Sequence, residues 1–192
     1  MDKILYNLAS LLNNQDTKMI IGISGHGASG KTTFAKKLLT LLEGKDINYI
    51  NTDPYIVSSD VRKHTSIQYE YQSEIHQSKM TACHPNAHHM LALDRDLKMV
   101  REGMDFYTMD VQYERSQLIT SRNNLTIIEG MTVAFSNPNL FDVMIYFYTD
   151  GETELMRRGI RDVSERGMDI EYLRNTHNER RRWGRDNKGI DG

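Results

Sequence analysis

Gly25-His26-Gly27-Ala28-Ser29-Gly30-Lys31-Thr32 is the stretch that decides how this sequence folds. Its spacing, G-x-x-x-x-G-K-[ST], is that of a phosphate-binding loop. An accidental glycine-rich turn is the competing reading, and the flanks argue against it. Met19-Ile20-Ile21-Gly22-Ile23 leads in as a short buried strand. Residues 31–43 then carry Phe34, Ala35, Leu38, Leu39, Leu41 and Leu42 at helical spacing, with Gly44 as a stop signal. In a strand–loop–helix of this kind, small residues let successive backbone N–H groups turn inward on an anion. The helix aims its positive end at the same point. Lys31 reaches the β- and γ-phosphates, and the Thr32 hydroxyl can ligate Mg2+. Gly25, His26, Gly27, Ala28, Ser29, Gly30, Lys31, Thr32 and Thr33 are therefore expected to hold ATP or a related nucleoside triphosphate. His26 reads as a tolerated loop residue rather than a catalytic one.

Outward from the loop, two periods keep alternating. Ile4, Leu5, Leu8, Leu11 and Leu12 predict a helix over residues 3–13. Residues 47–52 and 143–148 and the run Leu125-Thr126-Ile127-Ile128 predict strands. Residues 86–102 predict a helix with Pro85 in its first turn and Gly103 beyond its end. A charged helix is expected over residues 152–165 and another from Asp169 onward. Strands alternating with helices imply βαβ units. The expected fold is α/β: a three-layer αβα arrangement around a mostly parallel sheet, with a helical arginine-rich lid. No linker-like run interrupts it, so residues 1–192 read as a single domain.

Composition narrows the function classes. The chain has 192 residues, of which 39% are hydrophobic and 26% charged, enough for one well-packed core. A formal charge of −2 leaves no overall basic field, so nucleic acid is not an expected partner and neither is an anionic membrane. Residues 1–15 lack the basic start and small-residue cleavage site of a secretory signal. A single cysteine, Cys83, excludes an internal disulfide, and a reducing cytoplasm is the expected compartment. Cys83 with His84, His88 and His89 is too loose a set for a zinc site. A homo-oligomer stays open.

In open α/β sheets the ligand sits beyond the C-terminal ends of the strands. That rule nominates two carboxylates. Asp53 follows Tyr49-Ile50-Asn51-Thr52 and is a candidate to orient or deprotonate an acceptor hydroxyl; a turn aspartate before Pro54 is the bland alternative. Glu129 ends Ile127-Ile128 where a second Mg2+ ligand is expected. Arg157, Arg158, Arg161 and Arg166 recur near helical spacing, suited either to a transferring phosphoryl group or to a salt-bridged surface with Asp162 and Glu165.

Taken in order, these segments resemble the uridine kinase family of P-loop kinases over residues 19–175. Asp53-Pro54-Tyr55 is similar to the segment that supplies the family's base. His84-Pro85-Asn86-Ala87 looks like its His-Pro-Asp-Ala helix start, Ile128-Glu129-Gly130 like its Glu-Gly strand end, and residues 157–167 like its arginine lid. The resemblance implies an ATP- and Mg2+-dependent kinase acting on a small-molecule hydroxyl, with uridine or cytidine as acceptor. It implies Asp53, Lys31 and Arg161 as catalytic, Thr32 and Glu129 at the metal, and Tyr55, His84, Tyr107, Arg158 and Arg166 at the substrate. Departures gather on the acceptor side. Cys83 stands where the family has a ribose-holding aspartate, Met168 replaces an arginine, and Tyr113 stands near the position of a base-reading histidine. Nicotinamide riboside, pantothenate or another hydroxylated metabolite is the second acceptor reading. An ATP-binding regulatory module without transfer is a reading from another class. A guanine-reading Asn-Lys-x-Asp is missing, since Asn187-Lys188-Gly189-Ile190 lacks the aspartate.

Overall fold

Ile20, Ile21 and Ile23 put apolar side chains on both faces of one short segment, which only a strand covered on two sides can bury. In the computed structural model, which describes residues 2–163, 167 and 169–186, that segment is an interior strand of a four-stranded sheet. In chain order the elements are α1 (Asp2–Asn13), β1 (Met19–Gly25), α2 (Lys31–Leu41), β2 (Ile47–Asn51), α3 (Ser59–Arg62), β3 (Ser66–Tyr71), β4 (Glu74–Lys79) and α4 (Met90–Glu102). Then come β5 (Phe106–Tyr107), β6 (Leu118–Ile119), β7 (Leu125–Glu129), β8 (Val143–Phe147), α5 (Gly151–Arg158) and α6 (Ile170–Asp186). By internal packing the chain divides into two units. One comprises Gly30–Tyr55, His89–Phe147 and the chain up to Gly25; the other comprises His26–Ser29, Ile56–His88 and the chain from Tyr148 on. Among the described residues no helix is long and apolar enough to cross a membrane.

The first unit carries the expected three layers. Its sheet runs β2-β7-β1-β8, and every pairing is parallel. On one face Ile21, Ile23 and Ile127 pack with Leu5, Ala9 and Leu12 of α1 and Phe34, Ala35 and Leu38 of α2. On the other, Ile20, Ile50 and Ile128 pack with Leu93, Leu97 and Val100 of α4. Each such fully buried side chain contributes about 1.5–3 kcal/mol over leaving it in water. Gly22 is small for a packing reason: a Cβ there would lie 2.8 Å from the Phe141 ring.

The second unit contains a hairpin that the sequence analysis leaves unassigned. β3 and β4 pair antiparallel around Gln72 and Ser73, both left-handed at φ 54° and 63°, the two-residue turn that matches strand twist. α6 packs on β3, and the Lys79 ammonium lies 4.5 Å from the centre of the Tyr172 ring. α5 starts at Asp150, whose carboxylate accepts from the Thr153 N–H at 2.8 Å.

Two predicted helices differ in form from the expectation. The helix placed at 86–102 begins at Met90, because His88 is extended and bridges to Ile56; Pro85 opens a separate 3-10 turn, Pro85–Ala87. Of the helix placed at 152–165, the part up to Arg158 is α-helical and Gly159–Val163 form a π turn, while residues 164–165 lie outside the described residues.

Candidate active site

In the first unit, register brings the strand ends together. Ile23 lies opposite Glu129, and Glu129 opposite Asn51. The chain leaves β1 into the glycine loop and leaves β2 toward Asp53 at this same end of the sheet. Glu129 is 4% exposed and heavily used. Its Oε1 accepts from the Thr32 hydroxyl at 3.2 Å and lies 3.8 Å from the Lys31 ammonium; its Oε2 accepts from the Tyr49 hydroxyl at 3.2 Å. Burial pushes the Glu129 carboxyl pKa up, and the Lys31 charge only partly offsets this. Burial and the neighbouring Glu129 likewise push the Tyr49 phenol up. Gly130 follows because nothing larger fits: its φ is 143°, and a Cβ would meet the Thr52 hydroxyl at 2.0 Å.

Asp53 is exposed, and its backbone N–H donates to the Asn51 side chain at 3.1 Å. It lies close enough to Glu129, Tyr49 and Glu114 to raise the pKa of all three. Around it are Asn51 and Glu114, which sequence reasoning did not select, and Tyr113, which it named only for its place in the family pattern. Asn51 donates to Glu114 at 2.9 Å, and the Tyr113 hydroxyl donates to the Asp53 carbonyl at 3.0 Å. Tyr49 was legible only as a strand residue, since a tyrosine beside Ile50 looks like core.

The glycine loop has the backbone its task requires. Ala28 and Gly30 are left-handed at φ 61° and 99°, and no side chain caps the start of α2. The Ser29 hydroxyl is buried without a hydrogen-bond partner, and so is that of Ser24. An unmet buried hydroxyl costs about 1–3 kcal/mol, and next to an uncapped helix start such donors suit an anion. Thr32 and Glu129 supply hard oxygen ligands of the type Mg2+ takes, so these residues fit the ion. Among the described residues no group of three or more His, Cys, Asp or Glu side chains is arranged to hold a metal ion.

In the second unit Arg157 and Arg158 lie against the loop segment His26–Ser29. Arg157 donates to the Ala28 carbonyl at 3.4 Å, and the Arg158 Cδ is 3.9 Å from where a Gly27 Cβ would stand. Arg158 is buried between Glu154 and Asp162, and Arg161 donates to Asp162 at 2.8 Å. Cys83 is partly buried and close enough to bear on the Arg158 charge. His84 caps the turn after it, its Nδ1 accepting from the Asn86 N–H at 3.1 Å, and burial lowers its pKa. Arg166 and Met168 lie outside the described residues.

The remaining substrate candidates separate in the first unit. Tyr107 is 65% exposed on β5. Tyr55 is 1% exposed, and its hydroxyl donates to buried Asp96 at 2.5 Å, so in this structure it packs in the core rather than facing solvent.

Comparison with known proteins agrees with this anatomy. The family model "Phosphoribulokinase / Uridine kinase family" matches residues 20–184. A uridine kinase of Macrococcus caseolyticus is 34% identical over 165 residues, covering 80% of this chain and 73% of that protein. Among solved structures, a Silicibacter sp. TM1040 chain provisionally named a fructose transport system kinase has a TM-score of 0.65 at 15% identity, over 93% of this chain and 91% of that one. A possible uridine kinase from Bacillus stearothermophilus has a TM-score of 0.53 at 18% identity, over 93% and 94%. These structures bear on the fold alone. With the family model covering nearly the whole chain, the protein belongs to the phosphoribulokinase/uridine kinase family and is an ATP-dependent kinase of small molecules.

Proposed function

We propose that this kinase transfers the γ-phosphoryl group of ATP to a hydroxyl of a pyrimidine nucleoside, uridine or cytidine. The observation that carries the transfer chemistry is the buried Glu129 carboxylate, which Thr32 and Lys31 share while exposed Asp53 lies within its electrostatic reach. Support for the nucleoside comes from the relatives named uridine kinase. The loop amides and Lys31 hold the triphosphate and fix its direction. Thr32 and Glu129 hold Mg2+, which when bound neutralises charge on the phosphate oxygens. Asp53 accepts the proton of the attacking hydroxyl on a carboxylate oxygen. It is exposed to an incoming acceptor, whereas Glu129 is buried and already bonded. Arg158 and Arg161, and by resemblance Arg166, stabilise charge on the transferring group. His84 and Tyr107 contact the acceptor, while Tyr55 stays in the core with its hydroxyl on Asp96.

We read both units as one kinase domain, which the family match across both supports, and the lone Cys83 supports a reducing, cytoplasmic setting. A second acceptor reading, a riboside or pantothenate-like alcohol, is favoured by Cys83 and by Tyr113, whose hydroxyl is engaged on the Asp53 carbonyl rather than free for a base. Incubating the chain with MgATP and a panel of uridine, cytidine, nicotinamide riboside and pantothenate, with ADP release as readout, separates these. Uridine or cytidine turning over fastest supports the nucleoside, and no turnover of either removes it.

A further inference from the structure

The arginine helix shows more than arginines near a phosphate loop. Arg158 lies one helical turn from an acidic residue in each direction. Its Nη1 is 3.4 Å from Glu154 Oε1, and its Nε is 3.5 Å from Asp162 Oδ2. All three side chains are buried, at 7%, 6% and 2% exposure. The second oxygen of Asp162 accepts from the Arg161 Nε at 2.8 Å, so one buried carboxylate engages both arginines. The segment that presents Arg161 and Asp162 is the π turn Gly159–Val163, a wider helical form found disproportionately at functional sites.

A surface salt bridge does not explain this arrangement. Surface pairs are solvated and contribute little, whereas these groups have given up water and need one another. Burial lowers the Arg158 pKa and nearby Arg180 lowers it further, while Glu154 and Asp162 act against both. The Arg180 Nε is itself buried without a hydrogen-bond partner among the described residues. The Arg158 stem meanwhile lies against Gly27, and Arg157 holds the Ala28 carbonyl, both in the loop that receives phosphate. Two carboxylates close to a phosphate loop would repel an anion, so their use lies in what they do to the arginines.

We propose that Glu154 and Asp162 are positioning residues that hold Arg158 in place at the phosphate loop and orient Arg161 beside it in the helix, so that ATP affinity depends on the clamp and not on the arginines alone. The proposal rests on the kinase reading of the loop. An arginine side chain left to itself samples many rotamers, and fixing it before the ligand arrives removes an entropy cost from binding. Asp162 engages each guanidinium through its Nε, while Glu154 engages the Arg158 Nη1, so the carboxylates fix the orientation in which the remaining donors meet phosphate oxygens.

The test is a mutant cycle on the full chain, read by titration of a fluorescent ATP analogue, which needs no acceptor. Removing both arginines (R158A/R161A) weakens the analogue about tenfold to a hundredfold, the value of one or two charge-assisted hydrogen bonds. Asp162→Asn in the native background weakens it about tenfold. The same change in the R158A/R161A background costs less than about twofold more, because a residue acting through another has nothing left to act on. Asp162→Glu restores part of the affinity. Glu154→Gln set against R158A forms a second cycle of the same kind, which decides the matter if Asp162→Asn does not fold. Additive losses in both backgrounds, or unchanged affinity in folded Asp162→Asn, overturn the clamp and leave the kinase reading standing. Failure of the native chain to bind the analogue at all overturns both.

Discussion

The Thr32 hydroxyl donates to Glu129 across 3.2 Å, so the first turn of α2 and the end of β7 meet at one buried carboxylate. Lys31 approaches the same oxygen at 3.8 Å. Such a site stores unfavourable charge in the folded state. Because burial raises the Glu129 pKa, the folded protein binds that proton more tightly than the unfolded chain does. Its contribution to stability is therefore greatest below the unfolded pKa and is lost as pH rises through the folded one.

Glu129→Gln should raise Tm at pH 7 by about 2–4 °C, the equivalent of about 1 kcal/mol in a chain this size. The advantage should shrink as the pH is lowered toward the unfolded carboxyl value of about 4.3. Transfer activity should fall sharply in the same protein. Melting curves from pH 4.5 to 8 decide this, and a lower Tm at pH 7 would mean that the Lys31 pair outweighs desolvation.

Lys31→Met removes the ammonium proposed to hold the terminal phosphates while keeping the stem of a half-buried side chain. Turnover should drop about a hundredfold to a thousandfold, as for loss of a group aimed at developing charge. Far-ultraviolet dichroism and Tm should stay close to native. Retained turnover would reassign the loop.

Asp53→Asn keeps the shape of an exposed side chain and removes its basicity. Affinity for the ATP analogue should hold within about twofold, while kcat falls about a hundredfold to ten-thousandfold, the usual range for a lost general base. A kcat near the native value is the result that removes Asp53 from the chemistry.

Tyr55→Phe deletes the hydroxyl that satisfies Asp96, leaving Arg95 as its hydrogen-bond partner. The cost should be about 1–3 kcal/mol, since a buried carboxylate loses a donor. The acceptor KM should not move, because the ring is sealed in the core. A changed KM with unchanged Tm would give Tyr55 a direct place at the substrate.

Gly130→Ala places a methyl group 2.0 Å from the Thr52 hydroxyl at a φ of 143°. Backbone strain of about 1–3 kcal/mol adds to the clash, and expression as insoluble protein is expected. A soluble variant with native Tm would mean that Thr52 can turn aside.

Much of this anatomy could be read in advance because it depends on local rules. The strand–loop–helix around Lys31 has fixed spacing and apolar flanks, Glu129 ends β7 and Asp53 lies just past β2, where sheet geometry collects ligands. What escaped notice depended on local turns without their usual residue signals or on partners distant in sequence. The β3–β4 hairpin alternates Ile67, Tyr69 and Tyr71 with polar residues, but its turn, Gln72-Ser73, lacks the glycine or asparagine that usually marks one. Tyr49 became a Glu129 partner only once β2 and β7 were in register. The helix over 152–165 kept its periodicity on paper, while the switch to a π turn at Gly159 moved Arg161 and Asp162 into a pairing that no α-helical wheel displays. Tyr55 looked available because it follows Asp53-Pro54, and its contact with Asp96 arises from α4, forty residues downstream in the chain.

Cys83 has a practical value that its chemistry alone would not suggest. It is the sole thiol of the chain, partly accessible, and close enough to Arg158 to bear on that guanidinium's charge. A maleimide dye would attach there and nowhere else, without any other cysteine having to be engineered away. The native polypeptide thus carries its own labelling handle beside the arginine clamp, and rearrangement of those side chains during turnover can be followed as a change in dye emission.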